Sequence, residues 1–220
     1  INLTLALKMI KSSVFDKKIQ GLKSISEQIK NSSDENDQKR IIKIIKDNDL
    51  IKELFGNNYH TQIISKSNEI LKLMLKNNEI TEDEINFIWS LTDQGDLETK
   101  MTIIKLFSDL IIFLNEKYCN ILLDNINKSI YKAQEKDKDK KINEDEIELI
   151  FNLAIKGKNE QFLIKSCEFY CKSFLEINNL NSLTKSSSLN KLLNLFSKGE
   201  KYCQIIINMC EDNLQSGKQV

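Results

Sequence analysis

The sequence predicts an all-α fold in which amphipathic helices stack in chain order, and three observations support this prediction. The 220 residues contain no proline and only six glycines, whereas soluble proteins average about 5% proline. Apolar residues recur at intervals of three and four along most of the chain, as they do on one face of a helix. A helical unit with the same start, stripe and stop occurs twice. These features are typical of helices joined by short polar turns.

The repeated unit is the most specific of these observations. Residues 80–95 (ITEDEINFIWSLTDQG) return 62 positions later as residues 142–157 (INEDEIELIFNLAIKG). A Thr or Asn side chain accepts a hydrogen bond from a backbone N–H at a helix start, and a Glu three residues on completes a capping box. A closing glycine ends a helix in the left-handed conformation. Each copy therefore predicts a capped helix, a tight turn and a longer returning helix. The cap pairs are Thr81 with Glu84 and Asn143 with Glu146, and the closing glycines are Gly95 and Gly157.

Five helices are predicted before the first copy of this unit. Apolar residues at helical spacing define them, and polar segments such as NSSDEND (31–37) separate them. In the second helix Gly21 costs roughly 1 kcal/mol relative to alanine, unless a neighbouring helix needs a close approach there. The five predicted helices are residues 2–11, 16–30, 38–48, 49–55 and 61–76.

The remaining helices are predicted from the two copies and the segments that follow them. The helix at 96–114 is apolar around most of its second half, so we expect it to be the most buried of the chain. Residues 134–141 (QEKDKDKK) have no apolar side chain and are predicted to form a charged loop. The tail at 215–220 is expected to fray. The other predicted helices are 81–93, 118–132, 160–177, 187–197 and 200–213, together with the helix that opens the second copy.

Consecutive antiparallel helices with an internal repeat are typical of armadillo- or HEAT-like α-solenoids. The offset of 62 residues between the copies is longer than the ~40–47 residues of those repeats. Each unit is therefore expected to hold three helices and a loop, which makes the repeat irregular. The prediction is one continuous armadillo-like array over residues 1–214, as a piece of a longer protein.

Composition argues against several functional classes. The 32 basic and 32 acidic residues balance, and Arg40 is the only arginine, which argues against DNA or RNA as the main partner. The longest mostly apolar stretch, 101–114, is interrupted by Lys105 and Asp109 and falls short of the ~20 residues that span a membrane. Five cysteines, an odd number within helical patterns, do not form a disulfide framework. A reducing, cytoplasmic location follows from their pattern.

For the histidine and the cysteines, which are common catalytic residues and metal ligands, the sequence favours structural roles. His60 is the only histidine, and no serine or cysteine has a recognisable nucleophile context, so a loop or helix-start role is favoured over a catalytic one. Cys167 and Cys171 lie one helical turn apart and could bind zinc with Cys203 and Cys210. Structural zinc sites usually pair ligands at Cys-x-x-Cys spacing, and cysteine is among the residues most often buried. Core packing is therefore favoured for these cysteines.

The acidic triplets and the single tryptophan are interpreted in the same way. Residues 82–84 and 144–146 resemble no EF-hand, and negative charge in the first turn of a helix is favourable in itself. Trp89 could anchor a partner, but its counterpart Phe151 occupies the same position of the stripe, which favours the core. No Gly-rich phosphate loop is present. The sequence predicts no catalytic, cofactor-binding or metal site in this chain.

Three segments resemble one known family in the same order along the chain. They are residues 5–29 (LALKMIKSSVFDKKIQGLKSISEQI), 48–91 (NDLIKELFGNNYHTQIISKSNEILKLMLKNNEITEDEINFIWSL) and 145–157 (DEIELIFNLAIKG). Together they resemble the long helical region upstream of the protease domain in giant ubiquitin-specific proteases of the fat facets type. The similarity extends from about Leu5 to Asp212. Its distinctive parts are the Ala-Leu-Lys-Met start, the isoleucine-Trp helix and the Asn-Leu-Ala turn.

The resemblance implies an armadillo-like scaffold whose enzyme chemistry lies elsewhere. The resemblance implies a family of thiol proteases that cut the isopeptide bond at the ubiquitin C-terminus. Their catalytic Cys-His pair lies in a separate domain, later in the chain. The family's Gly-Asn-Thr-Cys box is absent here, since Cys119 stands in Tyr-Cys-Asn and Cys203 in Tyr-Cys-Gln. The implied function is non-catalytic contact with protein partners or ubiquitinated substrates of a deubiquitinase. The alternatives are a free-standing armadillo or HEAT adaptor and, least favoured, a small helical enzyme.

Overall fold

Helices make up nearly all of the chain that the structure describes. The computed structural model describes residues 2–32, 34–56 and 60–136, and single positions beyond them (149, 152, 190, 193, 194, 197, 203, 204, 207, 208 and 211). Over the first three ranges it contains nine α-helices and one 3-10 helix, with no strand among the described residues. The helices are α1 (Leu3–Ile10), α2 (Phe15–Asn31), α3 (Glu35–Asp47), α4 (Leu50–Phe55), α5 (Thr61–Lys66), α6 (Asn68–Lys76), α7 (Glu82–Gln94), α8 (Leu97–Leu110), the 3-10 helix Ile111–Phe113, and α9 (Glu116–Lys136).

The chain divides into two compact units, Ile1–Leu114 and Asn115–Val220. In the first unit α1 packs on α2, α2 packs on α5 and α6, and these two pack on α8. Beside this row, α3 contacts α4 and α6, α4 contacts α7, and α7 contacts α8. The first unit is therefore a stack of short helices that contact both their neighbours along the chain and helices two or more positions away. In the second unit, α9 buries Tyr118, Cys119, Leu122, Leu123 and Ile126.

Helix α8 was predicted to be the most buried helix of the chain, but in the first unit α6 is buried over a larger fraction of its length. Five of the nine residues of α6 are buried, against six of the fourteen of α8. Helix α6 contacts α2, α3, α5, α8 and the 3-10 helix, so its side chains are covered from several directions. Two apolar residues of the α8 region, Leu97 and Ile112, are 72% and 62% exposed. An apolar run therefore overestimates burial where no neighbour covers one side.

Gly21 lies where α1 and α2 approach most closely. A Cβ atom at this position would lie 2.6 Å from the carbonyl oxygen of Ala6 and 2.8 Å from Cγ1 of Ile10. Ala6 and Ile10 are fully buried. The close approach that the sequence analysis named as the reason to keep a glycine here is thus present. The backbone of α1 occupies the space that any larger side chain would need.

The start of α7 is the predicted capping box. The backbone N–H of Glu84 donates to Oγ1 of Thr81 at 3.2 Å, and the backbone N–H of Thr81 donates to Oε2 of Glu84 at 2.7 Å. The predicted end of this helix is wrong in its conformation. Gly95 has φ −85° and ψ 172°, which is extended backbone and not the left-handed region. A Cβ there would lie 2.6 Å from Cγ2 of Thr99, so glycine serves the tight turn into α8.

Ser67 interrupts the helix that was predicted over residues 61–76. Its N–H donates to the carbonyl of Ile63 at 3.0 Å, and its Oγ donates to the same oxygen at 2.8 Å. A hydroxyl that bonds back onto the preceding turn bends a helix, and here α5 ends and α6 begins at this residue. Ser67 is fully buried, which confirms its predicted place in the apolar stripe.

Several other predicted boundaries are shifted. Helix α3 begins at Glu35, within the predicted polar break, because the Asp34 side chain accepts from the N–H of Asn36 and caps it. Helix α9 continues to Lys136, so the predicted charged loop at 134–141 is helical in its first three residues. The rest of that loop, the helices predicted beyond it and the tail at 215–220 lie outside the continuously described residues. The array predicted over 1–214 remains a prediction.

We expect Gly21→Ala to destabilise the protein by about 1 kcal/mol or more. Overpacking costs about 1–3 kcal/mol, which exceeds the gain of up to about 1 kcal/mol from helix propensity. Urea unfolding followed by far-UV circular dichroism measures the change. Lys23→Ala, at an exposed position of the same helix, is the matched control. A more stable Gly21→Ala protein would show that α1 can move away at no cost.

We expect Thr81→Ala to reduce the free energy of unfolding by about 1 kcal/mol, because the N–H of Glu84 loses its acceptor. Thr81→Ser keeps the hydroxyl oxygen and should stay close to the unmodified protein. The same urea titration compares the two variants. Equal losses for alanine and serine would contradict a role for the cap.

Candidate interaction surface

Trp89 is a core residue, as its position in the stripe predicted. Its side chain is 3% exposed, and its ring lies 5.7 Å from the ring of Phe107, at a tilt of 55°. This separation and tilt are within the range that aromatic pairs prefer. Trp89 therefore ties α7 to α8 and is too deeply buried to anchor a partner.

His60 is a helix-start residue. Its Nδ1 accepts a hydrogen bond of 3.2 Å from the N–H of Gln62, which caps α5. The imidazole also lies against the ring of Phe15, with 4.6 Å between the ring centroids. Because Nδ1 accepts, a neutral imidazole carries its proton on Nε2. The histidine joins the start of α5 to the start of α2.

The acidic triplet at 82–84 occupies the first turn of α7, where Glu84 belongs to the capping box. Its counterpart at 144–146 lies outside the described residues. Among the residues that the structure describes, no three His, Cys, Asp or Glu side chains come together in a way that could hold a metal ion. The charge of the first triplet is therefore explained by its place at a helix start.

Two of the five cysteines lie in the described part of the chain. Cys119 is 1% exposed, and burial, followed by the nearby charge of Glu116, raises the pKa of its thiol to about 12. Cys203 is half-buried. The other members of the proposed zinc group, Cys167, Cys171 and Cys210, lie outside the described residues, so the packing interpretation of those three stays a prediction.

Polar side chains link successive helices of the first unit. Lys18 pairs with Glu53 at 3.0 Å, which joins α2 to α4, and Lys46 pairs with Glu79, which joins α3 to the turn after α6. Oγ1 of Thr61 donates to Glu98 at 2.9 Å, between α5 and α8. Such pairs contribute little stability when exposed. The paired lysines, Lys18 and Lys46, already have carboxylate partners within the unit.

A groove of about 400 Å³ runs along the outer side of α1 where it meets α2. Leu5, Met9 and Lys8 line it from α1, and Leu5 is 51% exposed. Lys17 and Gln20 line it from α2. An exposed apolar side chain between cationic groups is the kind of surface that protein partners bind.

A second groove, of about 240 Å³, lies at the other end of the same helix pair and extends onto α3. It contains Arg40, the only arginine of the chain. Its lining is more polar than that of the first groove, with amide, hydroxyl and carboxylate side chains. The full lining is Leu3, Gln28, Asn31, Ser32, Asp37, Arg40 and Ile41.

Neither groove was predicted from the sequence. The sequence did contain a signal for the first groove, because six of the eight residues of α1 are apolar (LTLALKMI). One neighbouring helix cannot cover that many apolar side chains. The signal becomes specific only when the position of α2 shows which side of α1 is left open.

The fold and these surfaces define an all-α helical-repeat protein of the armadillo type. No described helix has the combination of length and apolar character that crossing a bilayer requires. The sequence model of the UBP24/USP9X/USP9Y ARM repeat family matches residues 1–201, and the chain belongs to that family. This match confirms the resemblance to the armadillo-like region of large ubiquitin-specific proteases. A search of curated proteins found no match.

We expect Cys119 to resist alkylation in the folded protein. The thiolate is the reactive form, and with a pKa of about 12 the thiol stays protonated at pH 8 and at pH 9. Iodoacetamide labelling followed by peptide mass mapping measures the rate at this residue, with and without urea. Cys203 serves as the half-buried comparison. Equal labelling rates of Cys119 in the folded and unfolded protein would contradict its burial.

Proposed function

We propose that this chain is a non-catalytic helical scaffold of a cysteine-type deubiquitinating enzyme, and that it recognises protein partners or ubiquitinated substrates. The family match over residues 1–201 carries the proposal. Helical repeats bind other macromolecules through the extended surfaces that stacking creates. The cysteine pattern supports a cytoplasmic setting, where thiols stay reduced.

The roles of the described side chains also support recognition over chemistry. The His60 ring and the Glu84 carboxylate each accept a backbone N–H at a helix start, and Trp89 packs in the core. A general base or nucleophile needs a polar partner within hydrogen-bond reach and room for a substrate. The two grooves on the first helices are lined by apolar, amide and charged side chains, which suit the binding of a polypeptide surface.

Deleting residues 1–220 from the parent enzyme distinguishes a role in substrate recognition from a role in catalysis. We expect kcat/KM for a fluorogenic ubiquitin C-terminal amide to stay unchanged, because that small probe needs only the protease domain. Removal of ubiquitin from cellular proteins should fall, since substrate positioning is lost. Equal losses in both assays would contradict a recognition role and point to a structural one.

The control is the isolated 220-residue chain, which should release no fluorophore from the same amide. Release above the buffer rate would assign chemistry to this chain and overturn the proposal. The coding sequence beyond Val220 is the companion observation. A Cys box and a His box in frame are expected, whereas a stop codon without them would favour the free-standing adaptor.

A further inference from the structure

Helix α1 has two apolar faces, and among the residues that the structure describes only one of them is covered. Ala6 and Ile10 are fully buried against α2. Leu5, Lys8 and Met9 lie on a different side of the helix and line the 400 Å³ groove, together with Ser12 just after the helix. These three helical residues follow the spacing of three and four that marks one helical face. Their face measures about 6 Å from Leu5 to Met9 at 1.5 Å per residue, which is about one helical turn.

The groove is basic as well as apolar. Lys8 from α1 and Lys17 from α2 both line it, and no acidic side chain is among its described lining residues. Neither lysine pairs with a carboxylate in the described part of the chain, whereas the adjacent Lys18 is held by Glu53 at 3.0 Å. Residues 1–26 contain five lysines and one acidic residue, Asp16. The excess of positive charge is therefore local, although the whole chain is neutral.

We propose that this groove binds an acidic amphipathic helix of a protein partner. Apolar side chains of the partner at i and i+4 would cover Leu5 and Met9, and its Asp or Glu residues would face Lys8 and Lys17. A helix in a groove suits two apolar anchors, Leu5 and Met9, that lie one helical turn apart. The proposal rests on the proposed recognition function and names the chemistry of one partner surface.

The exposed lysines determine how such a complex should respond to salt. Charges at a rim raise the association rate and select the partner, and salt screens them. The apolar contact contributes the part of the affinity that salt does not remove. Nucleic acid, which lacks apolar side chains to cover Leu5, would bind through phosphate contacts, and its affinity would fall more steeply with salt.

The probe is a fluorescein-labelled peptide of about four helical turns made from alanine, leucine and glutamate, with leucine on one face. Fluorescence anisotropy measures its binding to the 220-residue chain at low and at physiological salt. We expect Lys8→Glu with Lys17→Glu to weaken binding by about tenfold or more, since attraction becomes repulsion. Leu5→Gln should weaken it at both salt concentrations. Far-UV circular dichroism verifies that each variant is folded.

The matched control is Lys23→Glu with Lys30→Glu, which makes the same change in net charge at exposed positions of α2 outside the groove. It should leave most of the binding intact. A peptide of the same composition, scrambled to remove the apolar face, should bind weakly. Equal losses in the two charge variants, equal binding of the scrambled peptide, or tighter binding of a single-stranded oligonucleotide would each overturn the proposal.

Two further results would also overturn it. The first is no binding of the acidic peptide at all. The second is a concentration-dependent dimer that the Leu5→Gln substitution dissociates. In that case the groove binds a second copy of the chain. If the peptide fails while deletion of residues 1–220 still impairs removal of ubiquitin from cellular proteins, the groove proposal falls and the scaffold function stands.

Discussion

The first unit depends on the burial of α6, because all of its α-helices except α2 are too short to be stable alone. They span six to seventeen residues, and isolated helices below about 12–15 residues are marginal in water. Helix α6 contributes Ile70, Leu71 and Met74, each 0–1% exposed, to contacts with helices on several sides. Each fully buried side chain of this kind contributes about 1.5–3 kcal/mol. Short helices persist here because they share one apolar centre.

That arrangement also determines which surfaces remain for binding. Apolar stripes face the centre, and polar pairs such as Lys18 with Glu53 connect neighbouring helices at the surface. Helix α1 differs because it packs mainly against α2 and carries more apolar residues than that contact covers. The groove is thus formed by residues of α1 and α2 that lie beside the contact between these two helices. A scaffold that gains stability along its length and leaves one apolar, basic face uncovered suits the recognition of another polypeptide.

Local signals predicted local features correctly. The capping box of Thr81 with Glu84 and the close approach at Gly21 are both present, since each depends on a few atoms that adjacent residues supply. The backbone predictions for Gly95 and Ser67 were wrong, because the same residue type at each position is compatible with two different backbone conformations. Gly95 ends α7 in extended backbone, because the chain turns directly into α8 and a glycine suits that turn as well as a left-handed cap. Helix α5 ends and α6 begins at Ser67, a break that helical periodicity does not reveal.

The amino-acid sequence by itself determined the fold class, the family and most helix starts. Those features depend on spacing of three or four residues and on side chains within one turn. Only the tertiary structure decided that α6 is the centre, that His60 caps α5 beside Phe15, and that Leu5 and Met9 stay open while Ala6 and Ile10 are covered. The physical reason is that a side chain becomes buried only when a neighbouring element covers it, and the sequence of one helix does not specify that neighbour. A helix with two apolar faces does not encode which of them its neighbours will cover.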